Sequence, residues 1–117
     1  MSYDIYLRDA SGQTLQFDEP HEISGGTYAL GGTREARLNV TYNYSKHYYR
    51  LMGEKGIRTI YGMTGEESVP ILTAAIDQLG QDVHEDYWAP TEGNARRALE
   101  NLRTLAKAAP HGIWDGD

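Results

Sequence analysis

The chain has 117 residues, with 11 lysines and arginines against 17 aspartates and glutamates and a net charge of -6 at neutral pH. That length suits one domain, residues 1 to 117, with one core, and the acidic balance excludes a general DNA or RNA binder, whose affinity comes mainly from lysine and arginine on phosphates. Cysteine is absent, which excludes a disulfide framework, a thiolate zinc site and a cysteine nucleophile.

From the N-terminus, SYDIYLRD alternates Tyr3, Ile5 and Leu7 against Asp4, Tyr6 and Arg8, the period of a half-buried strand. DASGQT reads as a turn, and TLQFD is expected to pair back on the first strand as a hairpin. EPHEISGGTYALGGT, with GGT triplets on either side of Tyr28, reads as a loop or an irregular hairpin. REARLNVTY sets Leu38, Val40 and Tyr42 on one face and Arg37, Asn39 and Thr41 on the other, which makes a second clear strand.

The period then changes. Tyr44, Tyr48, Leu51 and Met52 fall at i, i+4, i+7 and i+8, the stripe of a short helix that Gly53 or Gly56 can end. GIRTIYGMTGEES reads as a loop with room for a short strand. Ser68 is the expected N-cap of a helix with Pro70 in its first turn, burying Ile71, Leu72, Ala75, Ile76 and Leu79 and stopping at Gly80.

QDVHEDYWAP reads as a linker. Thr91 caps the most regular helix, with Ala95, Ala98, Leu99, Leu102, Leu105 and Ala106 as its apolar stripe and Arg96, Glu100, Arg103 and Lys107 as its solvated one. Pro110 ends it, and HGIWDGD returns Trp114 toward the body or toward a partner. The expected fold class is α+β, with a small antiparallel sheet from the N-terminal half packed against one short central helix and two C-terminal helices.

LNVTYNYSKHYYR, residues 38 to 50, holds four of the nine tyrosines together with Asn43, Lys46, His47 and Arg50. Its helical half groups Lys46, His47 and Arg50 at i+3 and i+4 spacing with Tyr49 beside them. Tyrosine offers a flat face for a base and arginine a planar fork for phosphate. The other reading makes Tyr44 and Tyr48 core aromatics and the cations a solvated face, and the residues leave both open.

Gly25 with Gly26 and Gly31 with Gly32, around Tyr28, can turn backbone N–H groups toward a phosphate or can simply form turns. Neither a GxxxxGK[ST] nor a GxGxxG fingerprint accompanies them. Arg58 precedes GMTGEES, which has the shape of an anion loop although Glu66 and Glu67 oppose phosphate. The expected ligand-binding set is therefore Asn43, Lys46, His47, Tyr49, Arg50, Arg58, Gly25, Gly26 and Tyr28, for a small anionic ligand of nucleotide type.

His21 with Glu22, and His84 with Glu85 and Asp86, are adjacent rather than i, i+4 pairs, and WDGD lacks the other ligands of a calcium loop, so no metal and no cofactor is expected. No nucleophile elbow or kinase signature is present, and the chain reads as a binding protein rather than an enzyme. No export signal and no run of eighteen apolar residues is visible, which points to the cytoplasm and away from membranes.

The runs GGTYALGGT, LNVTYNYSKHYYR, GEKGIRTIYGMTGEES, TEGNARRAL and GIWDGD, covering nearly the whole chain, resemble a group of small proteins encoded by bacteriophages and prophages of Gram-positive bacteria. The resemblance supplies context rather than a mechanism. It implies a counter-defence factor in the cytoplasm of the infected host, sequestering a small anionic nucleotide signal. The alternative it implies is a protein inhibitor that docks through an acidic surface on a host defence effector, such as a CRISPR complex. Short length, apolar helix faces and a Trp-bearing tail add the expectation of a homo-oligomer with a shared pocket.

Overall fold

The computed structural model describes residues 1 to 21, 23 and 33 to 117. Its strands are β1 (Ser2–Arg8), β2 (Gln16–His21), β3 (Thr33–Glu35), β4 (Arg37–Thr41) and β5 (Ile113–Gly116), and its helices are α1 (Ser45–Met52), α2 (Gly65–Asp77) and α3 (Glu92–Ala108). The fold is α+β, as the periodicities require. β1 is the middle strand of an antiparallel sheet of order β4-β1-β5, while β2 and β3 pair separately. Ile5 faces Leu38 across one ladder and Leu7 faces Trp114 across the other, so one side of the sheet is apolar and packs on the helices.

The hairpin expected from TLQFD stops at a single bridge, Arg8 to Thr14. β4 and β5 occupy both edges of β1, leaving no ladder for a third partner, and the chain runs on into β2 to pair with β3. The turn before it forms as expected: Asp9 Oδ1 accepts from the Ser11 hydroxyl and from the backbone N–H groups of Ser11 and Gln13. Those donors hold the Asp9 carboxyl below its usual range.

Past β4, Tyr42 leaves the strand for a 3-10 turn, Tyr42–Tyr44, which leads into α1. Gly53 ends α1 at φ 93°, a conformation that suits glycine. The segment read as a loop with room for a strand is a 3-10 helix, Gly56–Ile60, whose Ile57 and Ile60 are buried. Only Thr64 bridges as a strand would, to Ile113.

α2 has its N-cap four residues before the expected one. Thr64 caps it: its hydroxyl accepts from Glu67 N at 3.1 Å, and Glu67 Oε1 accepts from Thr64 N at 3.0 Å. Two more first-turn donors, Gly65 N and Glu66 N, are taken by the carbonyls of Gly112 and Pro110. A side chain at position 65 would lie 2.8 Å from the carbonyl oxygens of Ala106 and Ala109, so glycine is needed for this approach. Pro70 falls inside the helix rather than in its first turn.

Ser68 is a buried helix residue. Its hydroxyl donates to Gly65 O and accepts from Trp114 Nε1, each at 2.7 Å. The buried stripe runs Ser68, Leu72, Ala75, Ile76 and Leu79, which turns Ile71 outward to 36% exposure, contrary to the expectation that it is buried. α3 agrees with its reading, from the Thr91 cap to the six buried apolar residues. No helix among the described residues is long and apolar enough to cross a membrane.

Ser68→Ala should strand the buried Trp114 indole N–H and cost about 1 to 3 kcal/mol. Urea unfolding checks it; a loss below about 0.5 kcal/mol, the scatter of neutral surface changes, would show that the indole finds another partner.

Candidate functional site

The segment 38 to 50 divides between two faces of α1. One face meets the connection between α2 and α3. Asn43 Nδ2 donates to Trp88 O at 2.8 Å, the Tyr44 hydroxyl donates to Tyr87 O, and His47 Nε2 lies 2.8 Å from Pro90 O. His47 is 6% exposed and meets Arg50 Nη2 at Nδ1. Since a carbonyl only accepts and a guanidinium only donates, Nε2 is the donor and Nδ1 the acceptor. Arg50 also stands 3.8 Å from Glu92 in a solvent-exposed pair that adds little stability.

The other face carries Tyr49, with Arg58 of the 3-10 helix Gly56–Ile60 close to it. Tyr49 is 44% exposed, and its ring packs over Gly56, where an added Cβ would come within 3.1 Å of it. Arg58 lies 4.8 Å above the Tyr3 ring and donates from Nε to Asp117 O at 2.8 Å. Lys46 is exposed. The expected set is thus brought together in two groups: Asn43, His47 and Arg50 on the loop side, Tyr49 and Arg58 on the other. Gly25, Gly26 and Tyr28 lie outside the described residues. A cavity of about 270 Å³ opens between Gln81, Val83, Gly93, Arg96 and Glu100, and no described member of the set lines it.

Asn94 was missed by the sequence reading. It is buried at the start of α3, where its Oδ1 accepts from His84 N and its Nδ2 donates to Asp86 O and Ala89 O. The signal was present, because Asn94 adjoins Ala95 and precedes Ala98 by one turn, on the edge of the apolar stripe. With it, the carbonyls of five consecutive residues, Asp86 to Pro90, each accept from a side chain. The segment read as a linker is therefore a clamped loop. It holds Tyr87 at 37% and Trp88 at 42% exposure, with ring centroids 5.1 Å apart.

Behind the clamp, the Tyr48 hydroxyl donates to Ala95 O at 2.9 Å inside the core. Burial pushes it well above the ordinary tyrosine value, with Tyr44 and Tyr3 adding to the effect. Among the described residues, no three histidine, aspartate or glutamate side chains converge as a metal site would need.

Two measurements follow from this geometry. Tyr48 keeps its proton in the folded state and loses it near pH 10.0 when unfolded, so its contribution is present below that pH and is lost as pH rises toward the folded value. Tyr48→Phe should therefore flatten the alkaline decline by about 1.4 kcal/mol per pH unit, read from urea unfolding at pH 9 to 11. An unchanged slope would place the hydroxyl in contact with solvent. Asn94→Asp keeps the acceptor but removes both donors, so hydrogen exchange at the loop amides of Trp88 and Ala89 should quicken by about ten-fold or more. Unchanged exchange there would mean that Asn94 does not hold the loop.

Compared with known proteins, no family model matches the chain, and no curated protein or solved structure is significantly similar to it.

Proposed function

We propose that the chain is a non-enzymatic binding protein that docks on a partner protein through the loop carrying Tyr87 and Trp88. One observation carries this reading: the loop is held by five side-chain-to-carbonyl contacts, yet its two large aromatic rings are left facing solvent. An element ordered before binding loses little further entropy on docking, and tyrosine and tryptophan are the common anchors of protein interfaces. The phage resemblance gives the context, a counter-defence factor acting on a host defence protein in the cytoplasm of the infected cell.

Sequestration of a small anionic nucleotide is the second reading. Lys46 and Tyr49, exposed one turn apart on α1, favour it. Asn43, His47 and Arg50 count less toward it, because they already serve the loop and Glu92. A homo-oligomer fits either reading and would appear in light scattering.

The two readings separate in one experiment, affinity capture from a Gram-positive host lysate followed by mass spectrometry of bound proteins and released small molecules. Tyr87→Ala with Trp88→Ala should lose a protein that wild type and a Lys46→Ala, Tyr49→Ala variant both retain. Melting should stay close to wild type, since exposed positions usually change stability by less than about 0.5 kcal/mol. A nucleotide released from wild type and absent from the Lys46, Tyr49 variant would reverse the order of the readings.

A further inference from the structure

The chemistry of the docking loop narrows its occupant. Residues 80 to 90 contain Asp82, Glu85 and Asp86 and no lysine or arginine. Asp82 Oδ1 accepts from Gly93 N and Asp86 Oδ1 from Trp88 N, which leaves each carboxylate a second oxygen. Glu85 is exposed and makes no hydrogen bond or ion pair among the described residues. Arg96 on α3 donates to Leu79 O and lines a cavity with Gln81 and Val83, Arg50 on α1 meets Glu92 just after the loop, and Arg97 on α3 lies close enough to act on the Tyr44 hydroxyl. Within the loop, carboxylates therefore adjoin the exposed rings in sequence, and the cations around it belong to the helices it packs on.

An aromatic face carries negative potential and attracts a cation, most effectively a planar guanidinium that can stack while its N–H fork meets a carboxylate. A nucleobase could stack on the same rings, but its phosphate would meet Glu85, Asp86 and a chain of net charge -6. Resting on the docking reading, we propose that the Tyr87–Trp88 corner receives an arginine side chain from a basic surface of the partner protein, with Glu85 as its counter-charge. A surface of that composition is also one that holds nucleic acid phosphates, so docking would cover it.

The test is fluorescence anisotropy with the full chain and four labelled probes of equal length: an arginine–glycine peptide, its lysine and glutamate counterparts, and a single-stranded oligonucleotide. The arginine peptide should bind about two- to five-fold tighter than the lysine peptide, and the difference should disappear in Trp88→Ala. Glu85→Gln should weaken the arginine peptide, and added salt should weaken both cationic peptides. Equal arginine and lysine affinities, no binding of either peptide, or tighter binding of the oligonucleotide would each overturn the inference. None of these would touch the docking reading, which is decided separately by whether the Tyr87→Ala, Trp88→Ala variant loses the host protein that wild type captures.

Discussion

Five consecutive backbone carbonyls, from Asp86 to Pro90, lie outside any strand or helix, and the arrangement around them follows from the need to give each a donor. A backbone oxygen that faces a packed neighbour has less access to water on that side, and the neighbouring elements supply side chains that reach these five. Asn43, Tyr44, His47 and Asn94 do so. That requirement accounts for much of the unusual composition of LNVTYNYSKHYYR. Tyrosine and histidine present an apolar body to the core and a polar tip at its edge, so one residue can pack and donate together. Tyr48 applies the same chemistry deeper in the fold, against Ala95 O.

A second constraint joins the ends of the chain. β1 takes its partners from residues 37 to 41 on one edge and from residues 113 to 116 on the other. The C-terminal strand is held in turn by Met63 and Gly62, through Trp114 N and O, and by Ser68 through the indole. The carbonyls just before it, at Pro110 and Gly112, satisfy the first donors of α2. Closing the sheet and starting the helix are thus one structural event, and damage to Trp114 or Ser68 reaches both.

What was legible in the sequence was periodic. Alternation identified β1 and β4, and the helical stripe of α3 named its buried apolar residues, whereas that of α1 found Tyr48 but missed the burial of His47 and left Leu51 and Met52 only partly buried. Pairing was not legible, because nothing local in TLQFD reveals that β4 takes the edge of β1 on which Thr14 and Leu15 begin to pair. The start of α2 was readable but misassigned: Thr64 and Glu67 form a capping box in GMTGEES, and Ser68, two residues before Pro70, competed for the role. Starting the helix at Ser68 also put Ile71 on the buried face. For the site, spacing correctly set His47 and Arg50 side by side, yet it carried no information about what lies opposite them. Opposite His47 was the loop, and the imidazole Nε2 turned inward to the Pro90 carbonyl while Arg50 stayed outside with Glu92.

The connection from α2 to α3 runs from residue 78 to 91, longer than the few residues that usually join packed helices. If its only task were to join them, a shorter and looser segment would serve, and the buried donors that hold it would be better replaced by apolar side chains. Instead the loop is ordered by contacts from α1 and α3, with exposed positions throughout residues 80 to 88. Ordering polar backbone on the outside of a small domain contributes little to a core. It does fix the direction of whatever the loop displays, and here that is an exposed aromatic pair next to Glu85 and Asp86. Fixed direction matters when a rigid surface must be matched, and much less for a flexible small molecule that can adapt to its site. On that ground the docking proposal rests on the loop rather than on the cation-rich helix beneath it, and the helix is the support that orders the loop.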